Sequence, residues 1–191
     1  MQLEKTRFEQ FSDGVIAIAI TLLALELHVP RLFTNTIHAS IHELAPLLPN
    51  ILTFALSFIT IAIFWVNHHQ LTKPVTKISR RMLWANILFL LFLTLIPFST
   101  SVLSVNPWHP TALLTYSLVL FLASVWFSVL RYFVHKSCGD VRIPMRRSFV
   151  GPTFYLLAVI SAFFSVPLCA AILVIPPLFY FLPKSSMRHD I

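Results

Sequence analysis

Six long apolar stretches constrain this chain more than any other feature of its sequence. A helix needs about 20 mostly apolar residues to cross a hydrocarbon core about 30 Å thick. We therefore predict an all-α integral membrane protein, with a single six-helix membrane domain over residues 1–191. The predicted spans are about 9–28, 47–69, 81–100, 111–134, 148–166 and 168–183.

The composition excludes the main soluble classes. Hydrophobic residues make up 57% of the chain and charged residues 11%, against roughly 25% charged residues in soluble domains. So few charges cannot cover the surface of a soluble enzyme domain, and two cysteines do not make a disulfide or zinc framework. Frequent proline and scarce glycine predict helices separated by proline stops, and Pro176 with Pro177 predict a kinked or incomplete sixth helix.

The basic residues predict the orientation in the membrane. Thirteen of the 14 lysines and arginines fall in the amino-terminal segment, the second and fourth connections and the tail, and only Arg31 falls on the other side. Because loops rich in lysine and arginine stay in the cytoplasm, both termini are expected there. The net charge of +7 then needs no nucleic-acid partner, since membrane lipids with anionic headgroups are the expected neighbours.

The first predicted helix is too short to face lipid. Asp13 and Glu26 bracket twelve uncharged residues, which rise only about 18 Å, against a hydrocarbon core of about 30 Å. Ionisable groups at depth normally face the interior of a helix bundle or water. We therefore expect this helix to be central, with water or polar partners near both ends.

One stripe of the first helix is apolar. Residues recur along it at spacings of three or four, namely Phe11, Gly14, Ile18, Thr21 or Leu22, and Leu25. Small residues on other faces, Ala17, Ala19 and Ala24, allow neighbouring helices to approach closely. Any packed membrane helix shows such a stripe, so the spacing alone does not separate a pore lining from ordinary packing.

Three segments of the chain carry recognisable motifs. Residues 7–14 read Arg-x-x-x-Phe-Ser-Asp-Gly and lead into Ile-Ala-Ile-Thr-Leu-Leu, and residues 64–69 contain Trp-x-x-His-His. These two segments, together with residues 86–98, resemble the transmembrane protein 175 family of potassium channels, in which residues 86–98 would correspond to the third helix. The resemblance covers residues 5–100 and is greatest to the bacterial branch, which has a single six-helix repeat; the last three helices agree in number and hydropathy only.

The resemblance implies a homotetramer whose first helices line one central pore. Such channels lack a Thr-Val-Gly-Tyr-Gly carbonyl filter, and so does this sequence. Carried over from the family, the pore constriction is formed by Ile18, Leu22 and Leu25, and the selectivity contact is Thr21. These positions also fall on the stripe found from spacing.

A leak-type potassium channel is the function that the resemblance predicts. Four isoleucines in a ring make a narrow apolar passage that water can leave, which blocks ions. Potassium loses its hydration at lower cost than sodium, and threonine hydroxyls beside the ring replace part of what is lost. Potassium is then the permeant ion, and neither a cofactor nor an enzymatic activity is expected.

Polar motif residues are expected at one depth, where they would tie the first three helices together and position the pore helix. The motif and cluster residues are Arg7, Phe11, Ser12, Asp13, Trp65, His68, His69 and Asn86. Asp13 has a second interpretation, as a cation attractor at the pore mouth. Glu26 is either a charge at the outer pore mouth or a solvated charge at a helix terminus.

Other sites find little support. His38, His42 and Glu43 have helical spacing, but two histidines without further ligands are weak grounds for zinc, so no metal site is predicted. Catalytic constellations are absent. The alternatives to a potassium channel are a proton channel or proton-coupled transporter, and a non-conducting membrane scaffold. The expected location is a bacterial plasma membrane.

Overall fold

The computed structural model describes residues 4–27, 47–138 and 149–181, and this part of the chain is all-helical, which confirms the predicted class. Seven helices follow one another along it, and the third and fourth form a single broken span. They are α1 (Lys5–Leu25), α2 (Leu48–Thr72), α3 (Arg80–Thr94), α4 (Ile96–Val105), α5 (Pro110–Cys138), α6 (Val150–Ser161) and α7 (Val166–Phe181).

Within the described residues, four spans are long and apolar enough to cross a membrane, so the chain is a multi-pass membrane protein. They contain 21, 25, 26 and 29 residues, at Lys5–Leu25, Leu48–Thr72, Arg80–Val105 and Pro110–Cys138. Their positions agree with the first four predicted spans to within a few residues at each end.

The break between α3 and α4 has a local cause. Pro97 lacks the N–H that would bond to the carbonyl of Leu93, and its ring crowds that carbonyl. The chain therefore tightens at Leu95, whose N–H donates to the carbonyl of Phe92 at 3.2 Å. The predicted continuous helix over 81–100 is in fact two helical segments over 80–105.

The fifth predicted span is longer than the helix found there. α6 has 12 residues, or about 18 Å, where a span over 148–166 was expected. α7 has 16 residues, or about 24 Å, the same number as the predicted span over 168–183, but it begins two residues earlier. A turn at residues 162–164 separates them, because Pro167 cannot donate the hydrogen bond that a continuous helix would need. Helix α7 continues through Pro176 and Pro177 to Phe181, so these prolines do not end the helix.

One end of the bundle gathers the basic residues. The start of α1 meets the end of α2, where Lys5 Nζ donates to the carbonyl oxygen of Lys73 at 2.8 Å. The start of α3 meets the end of α5, where Ser137 Oγ lies 3.7 Å from Met82 Sδ. The described basic residues near this end are Lys5, Arg7, Lys73, Lys77, Arg80, Arg81, Arg131 and Lys136.

Arg131 departs from the expected pattern of loop cations. It lies inside α5 and is buried, with its guanidinium 5.1 Å from the ring centroid of Phe127. Position 131 falls within the last turn of the predicted span 111–134, and α5 continues past it to Cys138, so Arg131 belongs to the helix and not to the connection. The other basic residues used for orientation lie outside the described residues: Arg31, Arg142, Arg146, Arg147, Lys184 and Arg188.

A second polar cluster lies among the apolar side chains of the bundle. Ser57 Oγ on α2 is 3.0 Å from Tyr116 Oη on α5 and 2.8 Å from Thr100 Oγ1 on α4. Thr100 Oγ1 is also 2.8 Å from the carbonyl oxygen of Ile96. All three side chains are buried, so each hydroxyl is satisfied where no water reaches it.

The concentration of basic residues at one end of the bundle predicts an orientation in the membrane that can be tested. We expect alkaline phosphatase to be active when fused within the 106–109 connection, and inactive when fused after the carboxyl terminus, because basic ends stay in the cytoplasm. Green fluorescent protein fusions at the same two places should give the reverse pattern. An active phosphatase at the carboxyl terminus would contradict the predicted topology.

Candidate functional site

Helix α1 packs with one face only. Its buried residues recur every three or four positions and contact the other helices, namely Phe8, Ser12, Ile16, Ala19 and Leu23. The stripe predicted from spacing lies outside this face. Ile18 is 60% exposed and Leu25 is 73% exposed, and Thr21 and Leu22 are exposed as well. The described part of the chain therefore leaves the stripe uncovered.

A directional chain of hydrogen bonds ties α1 to α2 and α3. His68 Nε2 is 2.8 Å from Asn86 Oδ1, Asn86 Nδ2 donates to Ser12 Oγ at 2.9 Å, and Ser12 Oγ donates to the carbonyl of Phe8 at 2.9 Å. A carbonyl only accepts, so Ser12 donates to it and must accept from Asn86. Asn86 Oδ1 then accepts a hydrogen bond from His68, which requires the tautomer with its hydrogen on Nε2. The three side chains are fully buried or nearly so.

Aromatic rings enclose His68 on both sides. Its imidazole stacks on Phe8 at 6.1 Å and on Phe89 at 5.9 Å, with interplanar angles of 18° and 13°. Phe89 in turn contacts Phe64 and Phe127 at 5.5 and 5.1 Å. These rings hold the imidazole plane in place, and with it the direction of the hydrogen bond to Asn86.

Asp13 makes a separate contact on the exposed side of the same helical turn. Trp65 Nε1 on α2 donates to Asp13 Oδ1 at 2.9 Å. The indole of Trp65 also stacks on His69 at 6.2 Å. Ser12 and Asp13 thus hold α1 to its neighbours from adjacent positions, one inside the bundle and one at its surface.

The structure does not bring all the predicted motif residues together. Within the described ranges, Arg7 and Phe11 make no hydrogen bond to this cluster, and Phe11 is 54% exposed. His69 meets it only through the Trp65 ring. Glu26 is the residue that ends α1, at the opposite end from the basic residues, and it is half-buried.

Sequence reasoning missed Phe8 as well as Ser57, Thr100 and Tyr116. Phe8 lies four residues before Ser12, so it occupies the buried face and supplies both a ring and a carbonyl to the chain of hydrogen bonds. The sequence could have predicted the second cluster, because polar side chains within apolar spans require hydrogen-bond partners.

Metal binding has no described site. Among residues 4–27, 47–138 and 149–181, no group of three histidine, cysteine, aspartate or glutamate side chains is placed to hold an ion. His38, His42 and Glu43, which were considered for zinc, lie outside the described residues.

Among the described residues, the side chain of Asn86 makes the hydrogen bonds that join His68 to Ser12, so it is the residue to change. We expect Asn86→Ala to lower the free energy of unfolding by about 1–3 kcal/mol, because two buried polar groups lose a partner. Thermal unfolding of the purified protein in detergent measures this. The matched control is Asn67→Ala, since Asn67 Nδ2 bonds only to the carbonyl of Ile63 in its own helix. Equal effects of the two substitutions would show that the chain of hydrogen bonds does not stabilise the bundle.

Comparisons with known proteins find related channels. A family model described as endosomal/lysosomal potassium channel TMEM175 matches residues 7–97, the region that contains the motif residues. A potassium channel from Chryseobacterium sp. is 30% identical over 99% of this chain and 98% of its own length.

A solved structure and an animal relative extend the comparison. The crystal structure of a lysosomal potassium-selective channel TMEM175 homolog from Chamaesiphon minutus superposes with a TM-score of 0.83, at 31% identity, over 92% of this chain and 95% of that one. The endosomal/lysosomal proton channel TMEM175 of Gallus gallus is 43% identical over 50% of this chain and 20% of its own length. Coverage and identity over almost the whole length show that this chain belongs to the TMEM175 family.

Proposed function

We propose that this chain forms a potassium-selective leak channel, as a homotetramer with four α1 helices around a central pore in the plasma membrane. The observation that carries the proposal is the exposed stripe of α1, which contains Ile18, Thr21, Leu22 and Leu25 and has no cover in the described chain. The bacterial relatives that are described as potassium channels support the same function.

Other exposed residues of α1 favour contact with water and with other copies of the chain over contact with lipid. Asp13 and Gly14 lie on the exposed side of α1, and a Cβ built at Gly14 would meet no atom within 4 Å. No contact within the described residues therefore requires a glycine at this position. A carboxylate facing lipid is costly, whereas small residues such as Gly14, Ala17 and Ala24 allow helices of neighbouring subunits to approach closely.

The constriction follows from symmetry. Four copies of Ile18 would form one apolar ring, and Leu22 and Leu25, roughly one and two turns further along α1, would form two more. Such rings exclude water when they are narrow, and a small helix movement rewets them. Closed and conducting states would then differ by a slight displacement of α1.

Thr21 supplies the polar group beside these rings. Its Oγ1 donates to the carbonyl of Ile18 at 2.9 Å within the helix. Because this bond uses the hydroxyl hydrogen, the oxygen lone pairs remain for a cation on the exposed side. Four such oxygens would replace part of the hydration that an ion loses, which favours the less strongly hydrated potassium.

We assign Asp13 first to positioning the pore helix, since it accepts a hydrogen bond from Trp65. Its exposed location on α1 also suits the second interpretation, a cation attractor at the pore mouth. At the other end of α1, Glu26 is either a charge at the outer pore mouth or a solvated charge at the helix terminus.

Proton conduction is the competing function, and animal relatives described as proton channels favour it. It would use the same α1 stripe with a different permeant ion. A membrane scaffold without conduction is the third alternative, and any ion flux through the purified protein in liposomes would exclude it.

The constriction is tested by Ile18→Asn. We expect potassium flux into liposomes to rise by about tenfold, because a polar ring stays wet and the barrier falls by roughly 1.4 kcal/mol. Ile51→Asn is the matched control, since Ile51 is 48% exposed on α2 and has no place in the proposed pore. Unchanged flux and unchanged preference over sodium in Ile18→Asn would exclude Ile18 as the constriction.

The selectivity contact is tested by Thr21→Val and Thr21→Ser. Valine keeps the shape and removes the oxygen, so the potassium-to-sodium permeability ratio should fall several-fold, whereas serine should keep most of it. Reversal potentials measured in opposed potassium, sodium and pH gradients give both ratios. A reversal potential that follows the pH gradient alone would establish the proton channel. If both variants kept the parent's potassium-to-sodium permeability ratio, Thr21 would have no role in selectivity.

A further inference from the structure

We propose that the groove between α3 and α5 at the basic end of the bundle binds an anionic phospholipid. The groove has a volume of about 560 Å³. Its arginines are Arg80 and Arg81, and its aromatic side chains are Trp84, Trp126 and Phe133. The proposal concerns the outer surface of the bundle and does not depend on the stripe of α1.

The groove changes from charged to apolar along its length. Arg81, Trp84, Ala85 and Leu88 are spaced at zero, three, four and seven residues, so they share one face of α3. From Arg81 to Leu88 the helix rises about 10 Å. This gradient matches a phospholipid, with its phosphate at the arginines and the first part of an acyl chain along the apolar wall.

Helix α5 provides the opposite wall in the same order. It runs antiparallel to α3, because its end at Ser137 contacts Met82 in the first turn of α3. Phe133 therefore lies toward the arginines, and Trp126, seven residues earlier, lies deeper. Exposed Trp84, at 54%, is the type of residue that occupies the interface between headgroups and acyl chains.

The two arginines of the groove have no counter-ion among the described residues. Across the described ranges, neither Arg80 nor Arg81 forms an ion pair or a side-chain hydrogen bond, and both are exposed. Both also lie in the first turn of α3, where the helix dipole adds to their positive charge. A phosphate group takes two hydrogen bonds from one guanidinium and neutralises this charge. Basic pockets between membrane helices bind anionic headgroups in this way.

Charge also argues against a second copy as the occupant. Copies of one chain in a membrane share an orientation and a depth, so a neighbouring subunit would bring its own basic end to this level. Like charges would then meet at Arg80 and Arg81. An anionic lipid from the adjoining leaflet brings the opposite charge and needs no subunit contact.

Brominated lipids test the site through the tryptophans that line it. The full-length protein is reconstituted into phosphatidylcholine vesicles that contain a minor fraction of brominated phosphatidylglycerol or brominated phosphatidylcholine, and quenching of tryptophan fluorescence is measured. We expect roughly 30-fold preferential occupancy by phosphatidylglycerol, as for two arginines beside an anionic headgroup. Arg80→Gln combined with Arg81→Gln should reduce this preference nearly to one.

Two further variants locate the effect. Lys73→Gln combined with Lys77→Gln removes the same charge from the same end of the bundle, outside the groove, and should keep the preference. Trp84→Phe should remove much of the quenchable signal. Quenching by brominated phosphatidylcholine reports that each variant is folded and inserted.

Three results would overturn the proposal. They are equal quenching of the parent by the two lipids, loss of preference in the lysine pair to the same extent as in the arginine pair, and a Trp84 signal that neither lipid reaches. The last result would mean that a second copy covers the groove.

Discussion

The chain of hydrogen bonds from His68 through Asn86 to Ser12 and the Phe8 carbonyl sets how α1 is rotated about its own axis. A helix in an apolar environment has little else to fix its rotation, because lipid and protein interior attract apolar side chains about equally. With Ser12 held inward, Thr21 lies nine residues on, or about half a turn round the helix. The proposed selectivity contact therefore faces away from the bundle as a consequence of a bond made elsewhere.

Two buried polar clusters at different levels give α2 its register against the other helices. His68 connects it to α1 and α3, and Ser57 connects it to α4 and α5. Hydrogen bonds between membrane helices contribute only about 0.6 kcal/mol each on average. Sliding or rotating a helix, however, would leave several polar groups without partners at once, so the clusters select one packing arrangement more strongly than they stabilise it.

Helix α3 links the proposed pore helix to the membrane surface. Asn86 faces inward and positions α1, while the neighbouring Ala85 and Trp84 line the proposed lipid groove. A lipid bound there would hold α3 against α5 at the level where α3 also holds α1. One helix thus carries both the contact to the proposed pore helix and the wall of the proposed lipid groove, because Asn86 and Trp84 lie about 200° apart round α3.

The sequence by itself determined the membrane class and the approximate positions of the first four apolar spans, because these depend on hydropathy and length. It did not determine which face of α1 turns inward. Phe11 fitted the apolar stripe as well as any residue, yet Phe8 is 1% exposed and Phe11 is 54% exposed. Nor did it determine the shortness of α6, since hydropathy does not mark where a turn interrupts an apolar run. Only the tertiary structure decided these points, because in a membrane both sides of a helix are apolar and only specific polar contacts distinguish inside from outside.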